Sequence, residues 1–135
     1  MKKLFSTKYT DRSVTLALFL LRLVFGGLMM VHGYDKLTHF NSMARMMPDP
    51  FHLGSTVTMS LSVFAEFFCA ALVLFGLLTR LAAIPVIINM VFALKIGHHW
   101  DVTGGGELAT LFICGYLVIL IMGPGKFSVD RLIGK

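Results

Sequence analysis

Residues 14–33 read VTLALFLLRLVFGGLMMVHG, twenty residues with one formal charge, Arg22. At about 1.5 Å per helical residue the run covers the roughly 30 Å of hydrocarbon in a bilayer, so it reads as a membrane-spanning helix. It lacks the small-residue cleavage site that ends a signal peptide, and the helix is therefore read as retained. Working outward, three more apolar runs follow at about 56–78, 80–97 and 107–122. Breakers separate them: His32-Gly33-Tyr34-Asp35 closes the first run, Gly76 and Thr79-Arg80 punctuate the next two, and Gly104-Gly105-Gly106 precedes the last, which Gly123-Pro124-Gly125 stops. Pro85 falls early in the third run, where a helix tolerates proline. The fold class expected is all-α, a transmembrane four-helix bundle occupying residues 1–135 as one domain, with an interfacial segment over 126–135 capped by Ser128.

Composition agrees. Of the 135 residues, 56% are hydrophobic and 14% charged, and the mean hydropathy is +0.80. Soluble domains carry roughly 45–50% apolar and about 25% charged residues, so a soluble globular domain is excluded. These residues leave no room for a separate soluble catalytic domain. The net charge of +5 brackets apolar runs and forms no basic stripe interleaved with aromatics, which argues against nucleic acid and for an anionic lipid surface.

Lys2, Lys3, Lys8, Arg12, Arg80, Lys126, Arg131 and Lys135 fall on one side, against Lys36, Arg45 and Lys95 on the other. The positive-inside rule then puts both termini in the cytoplasm and all five histidines at the outer face. Cys69 and Cys114 lie in apolar runs without CxxC or zinc-ligand spacing, and are expected as small core residues.

Ionisable groups at bilayer depth are costly, at least about 2.5 to 3.5 kcal/mol at the centre. Counting along the runs puts Arg22 roughly 12 Å above the cytoplasmic end of its helix, Glu66 roughly 15 Å in from the outer side and Asn89 roughly 13 Å above the cytoplasmic start of its helix. All three are expected near the midplane, with Arg22 paired to Glu66, Asn89 completing the hydrogen bonds and Ser62 one turn away. Such a pair either pins the bundle or forms a proton or ligand site. Tyr116 turns to the other side of its helix and is expected to face lipid or packing neighbours.

A second, shallower layer gathers His32, Lys95, His98, His99 and Glu107 near the outer surface. Imidazoles and a carboxylate there suit a quinone head group or a metal, or they are interfacial histidines beside Trp100 in an aromatic belt. No histidine pair has a spacing that singles out haem, which is not expected. The triple glycine is not a phosphate loop, because neither a strand nor Gly-Lys-Ser/Thr accompanies it.

The order of Arg22-Leu23-Val24, His32-Gly33-Tyr34-Asp35-Lys36-Leu37, Glu66, Gly76-Leu77-Leu78-Thr79-Arg80-Leu81-Ala82-Ala83, Gly104-Gly105-Gly106-Glu107-Leu108-Ala109 and Gly123-Pro124-Gly125-Lys126-Phe127-Ser128-Val129-Asp130-Arg131 resembles the DoxX family of small four-helix bacterial membrane proteins. The resemblance covers nearly the whole chain, apart from the Met-rich stretch Phe40 to Leu53. It implies a multi-pass protein of the bacterial inner membrane, of quinone-linked or redox-associated character, with Arg22, His32, Lys36, Glu66, Arg80, His98 and Glu107 at the family's polar positions.

Two functions compete. In the first, a redox subunit binds quinone between its helices: Glu66, Glu107 and His98 carry the chemistry, and Arg22, His32, Lys36, Asn89 and His99 bind the ligand. In the second, a non-catalytic anchor packs on another membrane subunit or on copies of itself through Gly26-Gly27, Gly115 and Ala70-Ala71. A small transporter is a weaker third reading, because broken helices and repeats are missing from the sequence. The first reading requires a cavity at the polar layer, and the second requires none.

Overall fold

The computed structural model describes residues 4–134, so Lys2, Lys3 and Lys135 of the charge count lie outside the described residues. Helix α1 runs Asp11–Thr38. Thr10 caps it by accepting from the Ser13 backbone N–H, while the Ser13 hydroxyl returns to the Thr10 backbone, a reciprocal capping box. A short α2, Phe40–Met46, and the loop that follows it lead into α3, Ser55–Phe75. Helix α4 spans Thr79–Gly97, α5 Glu107–Met122 and α6 Val129–Leu132. No strand occurs among the described residues. Three helices, α1, α3 and α4, are long and apolar enough to cross a membrane, and α5 is a shorter apolar helix of 16 residues.

Two spans differ from the sequence reading. Helix α1 extends past the apolar run at both ends, because the capping box starts it early and polar residues through Thr38 keep helical hydrogen bonds. Helix α3 stops before the expected Leu78, because Gly76 turns left-handed at φ 73. Pro85 sits nearly two turns inside α4, where it lacks the N–H that a helix normally gives to the residue four back.

Helix α1 packs antiparallel along α3, and α4 along α5. The α1–α3 register is set by close approaches: Gly26 meets Leu74, and Gly33 lies on the backbone of Glu66 and Phe67. A Cβ on Gly33 would stand 2.6 Å from both the Glu66 carbonyl carbon and the Phe67 nitrogen, so only glycine lets the helices meet here. The shared core holds Met29, Val73, Ala83, Val86, Tyr116 and Ile119, all fully buried. Leucines, valines and isoleucines on the outer faces of all four long helices are exposed, as a lipid-facing surface requires.

The expected Arg22 to Glu66 pair does not form. The register puts Glu66 beside Gly33, eleven residues from Arg22, or roughly 16 Å along the helix. Arg22 is buried at the other end, against Gly76, and donates to the Phe127 carbonyl. The tail after α5 folds back into the bundle and meets Arg22 there, which no depth count along an apolar run anticipates. Asp130 is the tail's anchor. It accepts from the backbone N–H of Leu78 at 2.8 Å, from that of Thr79 at 3.0 Å and from the Thr79 hydroxyl at 2.9 Å. It thereby caps α4 and holds Leu78 at φ 49, a conformation that costs a non-glycine residue about 1–2 kcal/mol. Ser128 caps α6 as expected, accepting from Arg131 N–H at 3.2 Å.

Tyr116 takes the packing position among its two expected ones: it is fully buried and donates to the Phe25 carbonyl at 3.3 Å. The expectation that both cysteines are core residues fails for one of them. Cys114 is exposed, two positions from Tyr116 and turned away from the core, whereas Cys69 is buried.

Candidate ligand cavity between α3 and α4

Residues Phe64–Cys69 of α3 wind as a π-helical segment, and so do Ala93–Gly97 at the end of α4. Such widened turns are uncommon and re-aim side chains, often at functional sites. The first carries Glu66, and the second delivers His98. Between these helices lies a cavity of about 600 Å³, inside the roughly 300–1,000 Å³ usual for small-molecule sites. Its walls are mainly apolar, Phe64, Ala65, Phe92 and Ile96 among them, and Met47, Pro48, Pro50 and Phe51 from the α2–α3 loop form one end. Leu61, Phe64 and Ile88 line it too, and each is more than half exposed on the outer face, so the cavity opens toward lipid.

Its polar groups centre on one carboxylate. Lys36, on the last turn of α1, donates to Glu66 Oε1 at 2.5 Å and to Ser62 Oγ at 2.9 Å. Asn89 Nδ2 donates to the same Oε1 at 2.6 Å, and the Ser62 hydroxyl lies 3.3 Å from it. Glu66 is only 2% exposed and stands behind Lys36, Ser62 and Asn89, which line the cavity themselves. Its other oxygen, Oε2, is buried with no hydrogen-bond partner among the described residues. The ion pair leaves no net charge at the cavity, and each partner offsets a charge that alone would be stranded in a low-dielectric interior.

The loop at the cavity end is held by Asp49, which accepts from the backbone N–H of Gly54 at 2.8 Å and of Leu53 at 3.0 Å, and from the Thr58 hydroxyl at 3.2 Å. The Gly54 N–H foremost, with the Leu53 N–H, the Thr58 hydroxyl and the nearby His52, holds the Asp49 carboxyl below its ordinary value, against a smaller opposing effect of burial. Phe51 closes edge-to-face on Phe92 of α4, ring centroids 5.1 Å apart.

Of the residues singled out from sequence, the structure brings together Lys36, Glu66 and Asn89, with His98 on the cavity wall farther along α4. The others stand apart. Arg22 belongs to the opposite end, His32 is exposed with its ring edge-on to Phe112, and His99 and Glu107 are exposed on the α4–α5 connection and the first turn of α5. No set of three or more His, Cys, Asp or Glu side chains among the described residues could hold a metal ion. The pairing of Lys36 with Glu66 escaped sequence reasoning because Lys36 was counted with the outer loop. Its signal was spacing: Lys36 is three residues past Gly33 and so on the same helical face. Asp49 lay in the stretch least like the family pattern.

A model of the DoxX family matches residues 17–99. The uncharacterized membrane protein Rv3486 of Mycobacterium tuberculosis is 33% identical over 84 residues, 52% of this chain and 52% of that protein. The chain thus matches about half of that relative's length. The inner membrane protein YphA of Escherichia coli is 31% identical over 113 residues, 75% of this chain and 79% of that protein. No solved structure matches.

Proposed function

The chain belongs to the DoxX family of membrane proteins, and on that premise we propose that it is a subunit of a redox-associated system in a bacterial inner membrane that holds a quinone or quinone-like amphiphile in the cavity between α3 and α4. The observation that carries this reading is the cavity itself, with a polar floor of Lys36, Ser62 and Asn89 under apolar walls that open toward lipid. A ring with carbonyl oxygens fits that donor set. Lys36 and Asn89 each keep an N–H beyond the one given to Glu66 Oε1, and either can donate to a carbonyl oxygen. Glu66 holds Lys36 in place and offers Oε2 as a proton-accepting atom. A bound quinone would supply two-electron redox chemistry, and a partner oxidoreductase would supply the electrons. Cytoplasmic placement of both termini puts this cavity in the outer half of the membrane.

The anchor reading loses part of its basis, because two of its small residues are used within the chain: Gly26 packs on Leu74, and Gly115 on the Phe25 ring. The test is native mass spectrometry in mild detergent with added decylubiquinone. One quinone per chain is expected for the wild type, with retention lost in Lys36→Met and kept in Glu107→Gln and His32→Ala. Retention unchanged in Lys36→Met, or a ligand-free chain at saturating quinone, overturns the proposal.

A further inference from the structure

Lys36 joins three properties that a quinone site alone does not require. Its amine lines an apolar cavity, it touches a carboxylate at 2.5 Å, and that carboxylate is 2% exposed with its second oxygen unpartnered among the described residues. A lysine amine in a desolvated pocket beside a proton acceptor is the arrangement that imine chemistry uses. We propose that Lys36 captures a long-chain aliphatic aldehyde arriving from the bilayer, and holds it as a protonated imine against Glu66. This rests on reading the cavity as an amphiphile site, and not on quinone as the occupant.

The chemistry balances without an oxidant or a reductant. Lys36 passes one proton to Glu66, and the freed nitrogen lone pair forms a C–N bond to the aldehyde carbon. The carbonyl π pair moves to oxygen, which takes the proton that the newly bonded nitrogen sheds, giving a neutral carbinolamine. Its C–O bond then breaks, the hydroxyl leaves as water with the proton returned by Glu66, and the nitrogen lone pair closes the C=N bond. The sum is one ammonium and one aldehyde giving one iminium and one water. The positive charge begins and ends on the same nitrogen, so the carboxylate that balances the ammonium balances the product. An anionic lipid head group finds no such fit, because the Lys36–Glu66 pair leaves no net positive charge for it. Asn89 is placed to donate to the departing oxygen, and the opening bordered by Leu61, Phe64 and Ile88 accommodates an alkyl chain.

The test incubates the full chain in detergent with hexadecanal and cyanoborohydride, which fixes an imine as a secondary amine, followed by intact mass and peptide mapping. One hexadecyl group on Lys36 is expected, ahead of the exposed Lys8, Lys95 and Lys126. Glu66→Gln, unable to take the proton, should label about 100-fold more slowly at Lys36. Because that change also breaks a buried pair, Ile88→Trp gives an independent variant: it should slow labelling by hexadecanal while leaving labelling by butanal unchanged. Hexadecan-1-ol, which binds without reacting, separates the two proposals. If hexadecanol neither binds nor competes, the amphiphile reading fails and this proposal with it. If hexadecanol binds but label is absent from Lys36, or spreads evenly over Lys36 and the exposed lysines, the aldehyde proposal alone is overturned.

Discussion

The Lys36–Glu66 contact is the feature on which most depends at the level of single residues. Removing one partner of a buried ion pair leaves the other charge stranded, typically worth about 3–5 kcal/mol, whereas replacing both is often close to neutral. Lys36→Met should therefore destabilise the bundle by about 3 kcal/mol, somewhat less than full burial implies because Lys36 is 27% exposed, and adding Glu66→Gln should restore most of the loss. Unfolding of the two single variants and the double variant in mixed micelles measures this, and additive losses would show that the charges do not interact. Two glycines make a parallel test of packing. Gly33→Ala forces a Cβ into the α3 backbone and should cost about 1–3 kcal/mol, whereas Gly27→Ala meets nothing within 4 Å and should stabilise by about 0.5–1 kcal/mol. Glu66 and Asn89 were legible in the sequence because a polar group in an apolar run has to find a partner. The choice of partner was not, because it depends on which residues of α1 and α3 face each other, and the approach of Gly33 to Glu66 decides that only in three dimensions.

Among the elements, the helices were the legible part, since the apolar runs and their glycine breakers mark them directly. The π-helical segments were not. Phe64–Cys69 and Ala93–Gly97 contain no residue that demands a wider turn, and their winding arises where helices pack on one another. The α2–α3 loop was equally opaque, although Asp49 gives it a measurable signature. Its lowered carboxyl means that the loop's hydrogen bonds are fully in place above the ordinary aspartate value of 3.8 and are lost as pH falls through the lowered value. Amide exchange at Leu53 and Gly54 should therefore accelerate on acidification across that range, and Asp49→Asn should remove the dependence. Exchange indifferent to pH in the wild type, after correction for intrinsic rates, would mean that the loop is held by something else. Since Phe51 of this loop meets Phe92, loosening it should also speed ligand exchange in the cavity.

For the whole molecule, the two ends of the bundle are built differently. The end bearing the termini is locked by the tail: Asp130 caps α4, Phe127 receives Arg22, and Asp130 N–H donates to the Gly76 carbonyl at 2.8 Å. A helical count cannot show a tail folding back into the bundle. Yet the Ser128 cap was visible in the sequence, and an aspartate so near it could have been tried against an exposed helix start. Deleting residues 126–134 should leave Arg22 buried without its carbonyl and α4 without its cap, a loss of about 2–4 kcal/mol from the two effects together. Thermal unfolding in detergent should show it, and Asp130→Asn should reproduce about half. A truncated chain as stable as the full one would mean that the tail is an appendage.

The 2.5 Å contact between Lys36 and Glu66 also bears on the energised membrane. Moving one elementary charge through a potential of 100 mV changes its energy by about 2.3 kcal/mol. A cation and an anion at nearly one depth feel almost equal and opposite shifts, so the pair as a whole is close to blind to the field. Occupancy of the cavity by an uncharged guest should then be the same in energised and de-energised vesicles, so that affinity there does not track the membrane potential.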